Sequence, residues 1–252
     1  MLQDVHIHLQ ELKTETELTE LLYQAEQSNI QRLFCNGIKP NDWERVLNIA
    51  QNNKNIVPFF GVHPWNVDNL DKNWFSELKR YLMSMPSGIG EIGLDKTQNA
   101  GDFETQKFVF KKQIELAIEL NRPFIIHCVR AWGNLLDALK PYDLENHPFI
   151  IHCFLGPIEV ADKLIKSGAY LSASLKLLSD KNQHSINEVF EKIPVEKILA
   201  ETDYPYVPRS LETAPYSVHL KNLYLKLSKL KQIPEKELEQ ILWYNGTKII
   251  SS

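Results

Sequence analysis

The hexapeptide Pro-Phe-Ile-Ile-His-Cys occurs at 123–128 and again at 148–153, and each copy is a short apolar run that ends in histidine. A buried apolar strand has no packing need for an imidazole at its tip. Two strands that both end this way suggest two imidazoles aimed at one point. A second pair stands in Asp4-Val5-His6-Ile7-His8. Alternate residues of a strand share a face, which puts Asp4, His6 and His8 on one side and Val5 with Ile7 on the other. Two imidazoles so spaced can reach a single ion. Carboxylates complete the set. Glu91 sits in Gly88-Ile89-Gly90-Glu91-Ile92-Gly93, where it has no packing purpose, and Asp203 follows the apolar run Ile198-Leu199-Ala200. Taken singly, a strand histidine is more often a hydrogen-bonded core residue, and an Asp after a strand a turn or cap. Taken together, four imidazoles and two carboxylates exceed what one four-coordinate ion requires. Two divalent cations sharing Glu91 use the set well, and such a centre activates water and polarises a phosphoryl or carbonyl oxygen.

These residues need a scaffold that brings strand ends together. Apolar runs bounded by turn residues read as strands at about 2–8, 31–36, 56–61, 87–92, 123–128, 148–153, 169–173 and 197–202. Helical spacing joins Leu18, Leu21, Leu22 and Ala25, then Trp43, Val46, Leu47 and Ala50, then Phe108 to Leu120 within 104–120. Helical patterns follow at 131–140, 157–167, 182–192, 215–230 and 234–250. Strand and helix alternate about eight times, which predicts an α/β protein with a parallel sheet closed as a (β/α)8 TIM barrel, regular or distorted. An open doubly wound sheet is the alternative, but its Gly-x-Gly-x-x-Gly turn is missing. No linker or composition shift divides the chain, so residues 1–252 are expected to form a single domain. The six candidate residues would then lie at the C-terminal ends of strands one, four, five, six and eight, the face that carries barrel active sites. Strand parity turns Cys128 and Cys153 away from the adjacent histidines, toward the helix layer.

Hydrophobic residues make up 43% of the chain and charged residues 24%, an ordinary soluble balance. The net charge of −4 gives no global attraction to nucleic acid, so such a substrate would need a local positive or metal-bearing cleft. Three cysteines without a Cys-x-x-Cys pair argue against a disulfide framework or a zinc ribbon. No segment approaches the ~18 apolar residues of a membrane span. A cytoplasmic protein without a membrane or an obligate protein partner is expected.

At this point the chain resembles the TatD family of metal-dependent hydrolases. The matching stretches are DVHIHL at 4–9, GVHPW at 61–65, GEIGLD at 90–95, IIHCVRA at 125–131, IIHCFLG at 150–156 and ETDYPY at 201–206. The resemblance implies a metal-dependent deoxyribonuclease of the barrel type, including 3′-to-5′ action on single-stranded DNA. It implies that His6, His8 and Asp203 hold one metal together with Glu91, and that Glu91, His127 and His152 hold the second. Related barrels often bridge their metals with a carboxylated lysine; Glu91 takes that place here. Two segments depart from the family pattern. Lys96-Thr97 stands where aromatic residues are usual, and 207–215 replaces an Arg-Gly and Asn-Glu-Pro stretch. Both bear on substrate contacts and leave the metal residues untouched.

Other residues have paired readings. His63 is a phosphate or leaving-group contact at the pocket rim, or a hydrogen-bonded loop histidine. Arg130 clamps a phosphate with its planar donor fork, or is a surface arginine at a helix start. Trp65, Tyr204 and Tyr206 stack on bases or close the barrel mouth, with the tyrosines leaning to packing. Asp4, Glu201 and Asp95 are candidates to fix imidazole tautomers, while His147, His184 and His219 are not expected to be ligands. Asp203 is the candidate to orient and deprotonate the nucleophile. Imidazole ligands favour zinc or manganese over calcium, and magnesium can serve where substrate phosphate adds oxygens. The same residues would equally serve hydrolysis of a small ester, lactone or amide. A barrel that has lost catalysis and binds a partner is the remaining reading, and the full ligand set speaks against it.

Overall fold

The computed structural model describes residues 1–179, 183–211 and 214–251. Eight strands appear among them: β1 (Leu2–Ile7), β2 (Ile30–Asn36), β3 (Ile56–Phe60), β4 (Gly88–Asp95), β5 (Phe124–Val129), β6 (Phe149–Ile151), β7 (Ala169–Ala173) and β8 (Ile198–Ala200). They form one parallel sheet in the order of the chain. The expected barrel is therefore present, with its last seam made irregularly. There, the Asp203 N–H donates to the His6 carbonyl at 3.0 Å and the His8 N–H to the Tyr204 carbonyl at 2.8 Å. That seam joins the two chain segments that carry His6, His8 and Asp203, three of the six candidate residues.

The helices are α1 (Glu15–Gln27), α2 (Pro40–Asn52), α3 (Trp74–Ser84), α4 (Phe103–Glu119), α5 (Trp132–Leu139), α6 (Ile158–Lys166), α7 (Gln183–Lys192), α8 (Tyr216–Lys231) and α9 (Glu235–Ile250). The sequence reading omits α3, although Phe75, Leu78 and Leu82 recur at helical spacing and Leu78 and Leu82 are buried. α1 opens on a capping box in which Thr14 and Glu17 satisfy each other's backbone N–H groups. Residue 182 of the expected seventh helix, and 212–213 of the divergent segment, lie outside the described residues. Among the described residues, no helix is long and apolar enough to cross a membrane.

Two apolar layers follow from the alternation of strand side chains. Val5, Phe34, Phe59, Ile125, Ile150, Tyr170 and Leu199 fill the barrel interior, with Ile249 of α9 joining them. The larger layer, including Leu33, Cys35, Ile126, Cys128 and Ile151, packs against the helices. The interior layer excludes water below the polar residues, so their interactions are stronger than in solution. Parity fails on β1, where a register shift between Asp4 and Ile7 sends Val5 inward and Asp4 toward α8. On β4, Gly93 has a φ of +153°. A Cβ there would run into the His127 carbonyl, so glycine lets β4 and β5 approach closely enough to set Glu91 beside His127.

Candidate metal centre

Glu91 is the hub of the barrel mouth, 3% exposed. Its Oε2 lies 3.3 Å from His6 Nε2 and 3.5 Å from His8 Nε2. Its Oε1 lies 2.9 Å from His127 Nδ1, 3.4 Å from His152 Nε2 and 3.5 Å from His63 Nε2. Asp203 Oδ1 stands 3.3 Å from His8 Nε2 and 3.8 Å from His6 Nε2, and those two nitrogens are 3.1 Å apart. All six expected residues are thus brought together, and His63 joins them.

The spacing tests whether a cation fits. Ligand bonds of about 2.1 Å place the corners of a tetrahedron about 3.4 Å apart. The measured separations among His6, His8, Asp203 and Glu91 Oε2 bracket that value. His6, His8 and Asp203 form one set with ligand atoms within 4.8 Å of one another, and His63, Glu91 and His127 form another. A third, His6 with His152 and Glu201, reflects a hydrogen bond: Glu201 Oε1 accepts from His152 Nδ1 at 2.8 Å.

Tautomers separate ligands from donors. His8 Nδ1 donates to the Asn36 carbonyl at 2.8 Å, and His127 Nε2 donates to Asp95 Oδ2 at 3.2 Å. With His152 Nδ1 committed to Glu201, each of these rings turns its other nitrogen toward Glu91. At His127 the Nδ1 and Glu91 Oε1 lone pairs face each other at 2.9 Å, a contact that requires a proton or a metal cation between them. His63 is locked the other way. Its Nδ1 accepts the Trp65 N–H at 3.2 Å, leaving the proton on Nε2. Burial pushes its pKa down to about 3, so the ring is neutral and acts as an Nε2–H donor. His63 thus lies in the buried cluster, 5% exposed, and not at the rim where the sequence reading placed it.

The electrostatics suit a cation. Burial alone would raise the Glu91 pKa, but the imidazoles of His63, His152 and His6 hold it well below the carboxylate range. Asp203 is likewise lowered against burial, by its contact with His8 and the nearby rings of His152 and His6. Burial would lower His152, yet Glu201 and then Glu91 raise it well above its ordinary value. Both candidate ligand carboxylates therefore stay ionised.

Supporting residues divide. Glu201 and Asp95 hold tautomers as expected. Asp4 does not: the β1 register shift turns it to Thr202 N–H (3.0 Å), Thr202 Oγ1 (2.6 Å) and Tyr216 OH (3.0 Å), so it latches β1 to the chain after β8. Cys128 packs in the helix layer as expected, but Cys153 does not. β6 ends at Ile151, Cys153 adopts φ +44°, and its sulfur lies 3.1 Å from Ser174 Oγ. Arg130 is exposed at φ +55°, two residues before α5, and makes no ion pair or hydrogen bond among the described residues. Tyr204 packs against Tyr216 at 5.7 Å, whereas Trp65 and Tyr206 are about half exposed. Lys96 bonds Asn134 at 2.7 Å. His147 and His219 lie outside the cluster, His147 bonding the Arg122 carbonyl; the His184 side chain is outside the described residues.

Sequence reasoning missed the buried amides that clamp the rim. Gln106 exchanges hydrogen bonds with the backbone of Asp95 (2.8 and 2.9 Å), and Gln113 with that of Val62 (2.7 and 3.1 Å). Two glutamines seven apart on the apolar face of α4 were the available signal. Glu201→Gln tests the support around His152. The substitution removes the charge that orients Nδ1–H and is expected to weaken metal affinity about 10- to 100-fold. Metal titration monitored by calorimetry reads this, and an unchanged affinity would remove Glu201 from the site.

Comparisons with known proteins follow the same outline. The model of a family described as TatD related DNase matches residues 3–251. An uncharacterized metal-dependent hydrolase of Bacillus subtilis, YabD, is 30% identical over 99% of this chain and 98% of its own length. The 3′-5′ ssDNA/RNA exonuclease TatD of Erwinia tasmaniensis is 24% identical over 85% of this chain and 84% of that protein. Among solved structures, the Escherichia coli TatD homolog YJJV superposes with a TM-score of 0.90 at 24% identity, covering 100% of this chain and 98% of that one.

Proposed function

The chain belongs to the TatD-related DNase family, and from that premise we propose that it is a metal-dependent hydrolase cleaving phosphodiester bonds in single-stranded DNA from the 3′ end. The relatives named as ssDNA/RNA exonucleases support this choice of substrate and polarity, and RNA is a further candidate substrate. The observation that carries the reading is the division of the Glu91 carboxylate, one oxygen facing His6 and His8, the other facing His127 and His152.

We assign two divalent ions to the centre, zinc or manganese or, with substrate phosphate as co-ligand, magnesium. His6, His8, Asp203 and Glu91 Oε2 would hold one; His127, His152 and Glu91 Oε1 the other. When bound, such ions acidify water and neutralise charge on phosphoryl oxygens. Asp203 accepts the proton from the attacking water. His63 Nε2–H and the unpaired guanidinium of Arg130 bind the phosphate. Asn36, Asp95 and Glu201 keep three of the four ligand imidazoles, those of His8, His127 and His152, in the tautomers that leave a lone pair free. Residues 1–252 are taken as one functional unit. The three free cysteines support a reducing, cytoplasmic setting.

Oligonucleotides offered in single-stranded and duplex form with Mg, Mn or Zn, beside a panel of small esters and lactones, test this. Metal-dependent shortening of the single strand from its 3′ end, abolished in His127→Ala, is the expected result. Turnover of an ester or lactone with intact oligonucleotides would replace the nuclease reading by the carboxyl-ester one.

A further inference from the structure

Two aromatic rings are pinned beside the cluster yet left open to solvent. Trp65 is 47% exposed and Tyr206 49% exposed. The Trp65 indole N–H donates to Asp95 Oδ2 at 2.7 Å, and the ring meets His63 edge-on with centroids 5.2 Å apart. The Tyr206 hydroxyl donates to Glu11 Oε2 at 3.1 Å, and its ring meets His8 edge-on at 5.4 Å. His63 lies 3.5 Å from Glu91 Oε1, and His8 lies 3.5 Å from Glu91 Oε2. One ring therefore flanks each end of the bridging carboxylate. The neighbouring aromatics are used differently: Tyr204 packs on Tyr216, and Trp132 on Phe154.

A ring held by its polar edge has already lost much of its rotamer freedom, and its exposed face gains free energy when covered. Every base offers a π-face, so stacking on such a ring discriminates little between bases. Resting on the nuclease reading above, we propose that Trp65 and Tyr206 determine substrate choice. Each stacks one nucleobase, on either side of the phosphate bound at the centre, so the site takes unpaired strands and tolerates any sequence. Bases inside a duplex already have both faces covered, so a duplex end must fray before either ring can be used.

The test compares an ordinary single-stranded oligonucleotide with one of equal length carrying abasic tetrahydrofuran residues on both sides of the terminal cleavable bond, using manganese-loaded protein. Wild type is expected to favour the ordinary strand by roughly a hundredfold in kcat/KM, about tenfold for each ring. Trp65→Ala and Tyr206→Ala should each lose roughly tenfold on the ordinary strand, mainly through KM, and narrow its advantage over the abasic strand. Trp65→Phe and Tyr206→Phe delete the bonds to Asp95 and Glu11 but keep a ring, and should retain most of that advantage. Affinity for a labelled strand in EDTA, read by fluorescence anisotropy, should follow the same order without turnover. Equal losses on both strands, or Phe variants as poor as the Ala variants, would overturn the proposal and leave the rings as positioning residues for His63 and His8. Cleavage of both strands at equal rates by wild type overturns the proposal alone. Cleavage of neither overturns the nuclease reading and the proposal with it.

Discussion

Glu91→Gln is expected to cut bound divalent metal to less than half of the wild-type content and turnover by about 10³-fold or more, roughly 4 kcal/mol of lost transition-state stabilisation. The substitution preserves shape and removes charge. Glutamine offers one carbonyl oxygen where Glu91 offers two anionic ones, so whichever way the amide turns, one imidazole group faces an N–H₂ that cannot ligate a cation. Burial sharpens the effect: the Glu91 side chain is 4% exposed and water has little room to substitute for the lost oxygen. The backbone should tolerate the change, because the Glu91 N–H donates at 2.8 Å to the Gly37 carbonyl, independently of the side chain. Metal content by elemental analysis, kcat and thermal melting are measured on the same preparation. Full metal content with less than a tenfold loss of turnover would sink the bridging assignment.

The centre was legible where side-chain type contradicts its surroundings. His127 and His152 end apolar runs, and Glu91 is a carboxylate in a glycine-rich strand; each is conspicuous because the barrel interior below them is apolar. Direction was harder to read than identity. Asp4 was grouped with His6 and His8 by simple alternation, which holds only while the ladder is regular, and the shift between Asp4 and Ile7 breaks it. Cys153 escaped for a similar reason, since a left-handed residue beyond the strand obeys no parity. The tautomer of His63 depends on an N–H two residues on, and that of His8 on the Asn36 carbonyl. A backbone carbonyl leaves no trace in side-chain chemistry, because every residue has one.

Left-handed backbone recurs just beyond the C-terminal ends of the barrel strands. Arg130, Cys153 and Asp203 have φ of +55°, +44° and +59°, just past β5, β6 and β8. Such conformations cost about 1 kcal/mol or more for residues with a Cβ. Here they turn the chain sharply at the strand tips, so that consecutive residues can serve different purposes. His152 faces Glu91, and the next N–H, of Cys153, returns to Glu201 at 2.7 Å.

Asp203→Asn is expected to lower turnover by about 10²- to 10⁴-fold, the range lost with a general base, while the melting temperature stays within about 3 °C of wild type. Asn is the informative replacement because it accepts the left-handed conformation that Asp203 holds, whereas Ala would add a backbone cost of its own. The Asp203 side chain is 23% exposed against 4% for Glu91, so of the two carboxylates it is the one that solvent can meet. The imidazoles around it hold it ionised, the form in which a carboxylate can accept a proton at all. Its backbone N–H still closes the barrel seam on the His6 carbonyl in the variant, which is why the fold should survive. One oxygen remains to contact a cation, so metal content should fall less than turnover does. The loss should appear in kcat, since proton transfer belongs to the chemical step, with KM for the oligonucleotide nearly unchanged. An Asp203→Asn protein with full metal-dependent activity would remove Asp203 from the proton path and leave only metal binding to explain its position.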